Sequence, residues 1–166
     1  MKKYRIIDDY DKALSLLDDY DHQCVNKPKG TKDCYKVSYE ECRKLIDSMK
    51  FDSSIFGVEK DGSFNSSINA IYQTAFCEEV YKSSEEKAAN LLYFIVKNHS
   101  FVDGNKRIAA SVFLYFLDKN NILYKDNNKI LSDSTLVAIT ILIAESKPEE
   151  REIIIKLIMN FLTMDK

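Results

Sequence analysis

The chain has 166 residues, 45% of them hydrophobic and 30% charged, with a formal net charge of −2 and a pI near 5.8. That length suits one domain with a real core, and the slightly acidic balance gives nucleic acid or an anionic membrane no electrostatic hold on the molecule as a whole, so neither is an expected partner. The amino terminus is charged and amphipathic, and no uninterrupted apolar run approaches spanning length, so no membrane segment is expected and the cytoplasm is the expected compartment.

In chain order, Ile6, Ile7, Tyr10, Ala13, Leu14 and Leu17 recur at helical spacing and predict a first amphipathic helix. The polar stretch from about 21 to 36, with Pro28 and Gly30, ends it and reads as a linker or surface loop. The expected division is an N-terminal helix and loop over 1–37, followed by one compact unit over 38–166. Ser38 and Glu41 have capping-box spacing and predict a second helix to about Met49, with Leu45 and Ile46 facing the core. From 51 to 67 helical periodicity fails, and Asp61-Gly62 between Val58 and Phe64 is a hairpin signal.

Ser83 and Glu86 repeat the capping-box spacing at the start of a helix ending near Asn98, and a further helix is predicted from about Asn105 to Lys119. Asn120 to Asn128 reads as a turn, Asp133 or Ser134 as the cap of an apolar helix through Ile143, and Pro148 as the start of a last helix to about Leu162. The predicted fold class is an all-α bundle with one short β-hairpin. Cysteines 24, 34, 42 and 77 contain no C-x-x-C pair and, with only His22 and His99 beside them, make no credible zinc set. Gly30, Gly57, Gly62 and Gly104 are isolated, so both the P-loop and the dinucleotide fingerprint are absent.

One short segment carries most of the chemistry. His99-Ser100-Phe101-Val102-Asp103-Gly104-Asn105-Lys106-Arg107 puts a base, a carboxylate, a turn glycine, an amide and two cations between two apolar helices. Lys106 and Arg107 fall in the first turn of the second helix, where the macrodipole disfavours cations, and nothing acidic follows until Asp118. Cations beside free backbone N–H groups imply that an external anion, such as a phosphate, completes the site. Taken singly, a histidine at a helix end is more often structural and Asp-Gly-Asn is ordinary turn chemistry. Their combination makes His99 a candidate general base and Asp103 a candidate metal ligand.

These nine residues resemble the signature of the Fic/Doc family: His, any residue, Phe, any residue, Asp or Glu, Gly, Asn, Gly or Lys, Arg. Every specified position matches. The stretch from Glu86 to Tyr93 and the region before it are also similar to the Fic domains that close RhuM-type proteins, and the likeness covers roughly residues 38 to 162. The resemblance implies a motif held between two central helices and transfer of a phosphate-containing part of ATP to a Ser, Thr or Tyr hydroxyl of a target protein. It assigns His99 the role of base, Asp103 that of holding Mg²⁺ at the phosphates, Gly104 and the following amides an anion hole, and Asn105, Lys106 and Arg107 contacts to phosphate. Phe101 would anchor the loop. The segment with Phe56, Gly57, Val58, Asp61, Gly62 and Phe64 corresponds to the family's flap, which docks the target by strand pairing.

Which group is transferred stays open. Nucleotidyl-transferring members commonly have Gly where this chain has Lys106, and a second Arg where it has Ala110; the Doc-type branch, which transfers a single phosphate as the toxin of a toxin-antitoxin pair, matches both but often has Ala in place of Gly104. AMP transfer is the first expectation, phosphate transfer the second, and a non-catalytic interaction module the third. Ser146 and Glu150, and equally Thr74 and Glu78, have the spacing of the family's inhibitory helix without its final Gly or Asn. A separate antitoxin-like partner and self-inhibition therefore both stand, and a second copy of the chain is a further open partner.

Overall fold

In the computed structural model, which describes residues 4–164, the axis of the fold is a helix buried along almost its whole length. This is α5 (Ser84–Asn98), and it is surrounded by α4 (Ser63–Ala70), α6 (Asn105–Lys119), α7 (Asp133–Glu145) and α8 (Arg151–Thr163). Leu91, Leu92, Ile95, Ile108, Val112, Phe113, Ile143 and Ile158 meet in the core with no side-chain surface left in water. Removing that much apolar surface from water is the main stabilising term. A helix covered on every side should be apolar all round, yet the first turn of α5 holds Glu85, Glu86 and Lys87, all buried.

Each of these charges has a partner. Glu85 accepts the N–H of Thr31 at 2.8 Å, Lys27 meets Glu86 at 2.5 Å, and the fully buried ammonium of Lys87 lies 2.9 Å from Asp33 and 3.2 Å from Glu79. An unpaired charge in such a place would cost several kcal/mol. The 27–33 stretch, expected as a linker or surface loop, is thus a strap that neutralises the start of α5.

Ahead of it, α1 (Arg5–Asp9) and α2 (Asp11–Asp21) replace the one helix predicted there; the break falls at Tyr10. The capping box at Ser38 is present and starts α3 (Tyr39–Ser48). Glu41 does more than close that box, because Tyr35 and Tyr115 both donate their hydroxyls to its carboxylate, at 2.6 and 2.7 Å. Burial by itself would push the Glu41 carboxyl up, but the bonds from Tyr35, Tyr115 and Ser38 hold it below the ordinary value. A depressed carboxyl adds stability above the ordinary glutamate range and loses it as pH falls through the lower folded value. Glu41→Gln should therefore be less stable than wild type in urea at about pH 7, with the gap closing towards about pH 3.

The predicted hairpin over 55–67 is not formed. Gly62 caps α4, and Asp61 accepts the N–H of Ser63 at 2.9 Å, so the Asp-Gly pair turns the chain into a helix. Phe64, Ile68 and Ile71, spaced four and three apart, bury one side of that helix completely. Their packing outweighs the weak helix propensity of the Asn and Ser residues between them. The antiparallel pairing lies elsewhere, in β1 (Thr74–Ala75) with β2 (Glu78–Glu79) and β3 (Tyr124–Lys125) with β4 (Asn128–Lys129). Both turns need two residues at positive φ, and Phe76-Cys77 and Asp126-Asn127 supply them. Among the described residues no helix is long and apolar enough to cross a membrane.

Candidate active site

The loop between α5 and α6 is shaped by two left-handed residues. His99 closes α5 at φ 49 and ψ 51, a position that glycine usually takes, and this reverses the chain. Gly104, at φ 92, opens α6; a Cβ there would be strained and would also collide with the Phe56 ring. Between them Phe101 is fully buried, its ring 4.8 Å from that of Phe64. Asn105 staples the loop, accepting the Phe101 N–H at 2.9 Å and donating to the Phe101 carbonyl at 2.8 Å.

The first bond within α6 runs from the Ile108 N–H to the Gly104 carbonyl, so the amides of Asn105, Lys106 and Arg107 precede the ladder. No side chain caps this end and its first turn has no acidic residue. His99, Val102, Asp103, Gly104, Asn105, Lys106 and Arg107 line one cavity of about 290 Å³. Cavities of about 410 and 470 Å³ lie near Lys27 and Glu86, but those two groups are already paired with each other. The smaller cavity is the one lined by the uncapped amino terminus of α6.

One of its cations is held back. Arg107 reaches Asp103 at 3.4 Å while its guanidinium lies over the rings of Phe51 and Phe56, at 4.3 and 4.8 Å. Such stacking orients a guanidinium without using up its donors. Lys106 is exposed. The Asn105 amide stands 3.3 and 3.5 Å from the two ring nitrogens of His99, nearly equidistant, which places it over the ring face. Its side chain is committed to the loop, so what it offers an anion is its backbone N–H.

Sequence reasoning missed Lys60, whose ammonium lies 3.0 Å from His99 Nδ1. An ammonium only donates, so Nδ1 accepts and a neutral ring carries its proton on Nε2. The register is set by the backbone: Gly57 N–H to Asp103, Val102 N–H to Val58 and Lys60 N–H to Ser100, at 3.1, 2.8 and 2.8 Å. Phe56, Gly57 and Val58 of the expected flap therefore run along the motif loop itself. Asp61 and Gly62 instead begin α4, and Phe64 is a core residue with no exposed surface.

Neither candidate inhibitory pair lies in a helix facing this cavity. Thr74 and Glu78 belong to β1 and β2, and Glu150 accepts the N–H of Lys147 in a 3₁₀ turn ahead of α8. Among the described residues no group of three or more His, Cys, Asp or Glu could hold a metal by itself. A family model described as Fic/DOC family matches residues 35–117, half of the chain. Neither the curated proteins nor the solved structures give a match.

Proposed function

The chain belongs to the Fic/DOC family, and from that premise we propose that it transfers AMP from ATP to a Ser, Thr or Tyr hydroxyl of a target protein. The observation that carries this reading is the convergence of His99, Asp103 and the uncapped amino terminus of α6 on one cavity. His99 takes the proton of the attacking hydroxyl. Its oxygen bonds to the α-phosphorus, the bond from that phosphorus to the bridging oxygen breaks, and diphosphate leaves. The amides of residues 105–107 and the fork of Arg107 stabilise the charge on the phosphate oxygens.

At rest Lys60 occupies His99 Nδ1. A base acting through Nε2 needs the ring proton on Nδ1, so Lys60 has to move, and phosphate charge beside His99 gives its ammonium another partner. Mg²⁺ fits the donor set, since one partly exposed carboxylate, Asp103, lines the same cavity as Arg107 and the start of α6, and this cation is commonly bound by one carboxylate together with substrate phosphates. When bound it would neutralise phosphate charge.

Phosphate transfer is the second reading, favoured by Lys106 and by Ala110 in place of a second arginine. Incubating the protein and a cell lysate with ATP labelled at the α or at the γ phosphate separates the two. Label retained from α supports AMP transfer; label from γ alone replaces it with phosphate transfer, and label from neither removes both. Arg107→Ala should weaken ATP binding by about 1.5–3 kcal/mol, on the order of ten- to a hundredfold in Kd by calorimetry, because charge-assisted bonds to phosphate act in the ground state.

A further inference from the structure

Away from this cavity, α2 is only lightly covered by the rest of the protein: Leu16, Asp19 and Tyr20 are partly covered and its other residues are exposed. Asp11, Lys12, Ser15, Leu16 and Asp19 line one cavity with Asn160 and Met164 at the end of α8. The opposite side is apolar and in water. Tyr10, Leu14 and Leu17 are 67%, 43% and 61% exposed, and across the break at Tyr10 Ile6 and Ile7 of α1 are exposed too, at 66% and 52%. Five large apolar side chains this exposed among the described residues, within one twelve-residue stretch, are the mark of an interaction surface.

The charges beside the stripe say what kind of partner fits. Asp18 lies four residues after Leu14 and Asp21 four after Leu17, so both adjoin the stripe, and Asp11 lies in the Asp18 row. His22 approaches the Asp18 carboxylate at 3.2 Å, but among the described residues no lysine or arginine pairs with Asp11, Asp18 or Asp21. Over its eleven residues α2 carries four aspartates and one lysine. A second copy of this helix would bring acidic rows together, and like charges facing each other oppose association. An anionic lipid surface is opposed for the same reason, since helices that lie on membranes carry lysine or arginine on the polar face.

We propose that α1 and α2 form the docking face for a helix of another protein, whose apolar stripe covers Ile6, Ile7, Tyr10, Leu14 and Leu17 and whose flanking lysines or arginines meet Asp18 and Asp21. Pairing of two amphipathic helices this way buries the stripe and neutralises its acidic edge at once.

The test uses the full chain and two fluorescent synthetic helices of equal length and identical leucine stripe, one flanked by lysine and the other by glutamate. Anisotropy titrations should show the lysine-flanked helix binding at least about tenfold tighter. Leu14→Ser with Leu17→Ser should weaken that binding by about tenfold or more, as should Asp18→Asn with Asp21→Asn, while circular dichroism stays unchanged because all four side chains are exposed. Equal binding of the two helices overturns the proposal, as does wild-type affinity in either double variant. Two further results also overturn it: sedimentation showing a dimer that Leu14→Ser with Leu17→Ser dissolves, or stripe-dependent binding to phosphatidylserine vesicles.

Discussion

Replacing His99 by alanine is expected to lower the rate of the chemical step by roughly 10²–10⁴-fold, the usual contribution of a positioned general base, with nucleotide affinity nearly unchanged. His99 lines the cavity from the end of α5, whereas the amides proposed to bind the anion belong to the start of α6. Histidine adopts the left-handed conformation of residue 99 more readily than alanine, but the two bonds from the Asn105 amide to the Phe101 backbone should keep the loop on its path. Single-turnover kinetics with calorimetry measure the two quantities separately. If His99→Ala abolished ATP binding while Arg107→Ala left it intact, the assignment of base and phosphate clamp would be reversed.

Phe101→Ala is expected to fail in a different way, losing about 3–5 kcal/mol of stability in urea denaturation. That is a large part of the net stability of a typical domain. The ring is fully buried against Phe64, and the backbone of the same residue makes both bonds to the Asn105 amide. Emptying its site should therefore loosen the loop whose amides we propose as the anion site. Stability and ATP affinity should fall together, in contrast to His99→Ala. A variant within about 1 kcal/mol of wild type would show that the core collapses around the gap and that the loop does not depend on this anchor.

Much of the site was legible in the sequence because its chemistry is local. His99, Asp103, Gly104 and Arg107 lie within nine positions, and the apolar spacing on either side places them between two helices. The bounds of α6 agree with the apolar period, and α3 begins at its capping box, because these depend on residues three or four apart. At Ser83 the spacing was informative but the partner differed. Ser83 accepts the Glu86 N–H, while the Glu86 carboxylate goes to Lys27 and the Lys82 N–H.

From its own residue order the chain determined the helix–loop–helix at the motif, its donor and acceptor inventory, and the presence of α3, α5, α6, α7 and α8. Tertiary structure alone decided that Lys60 rests on His99, that Phe51 and Phe56 stack on Arg107, and that Phe56 leaves no room for a side chain at residue 104. It also decided that the 55–67 segment runs along the motif loop and then coils into α4, and that the apolar face of α2 looks into water. The reason is one of range. A period of three or four residues is written in neighbours and says that a helix has an apolar side, but which surface meets that side depends on groups tens of residues away, whose burial and pairing exist only once the chain has closed on itself.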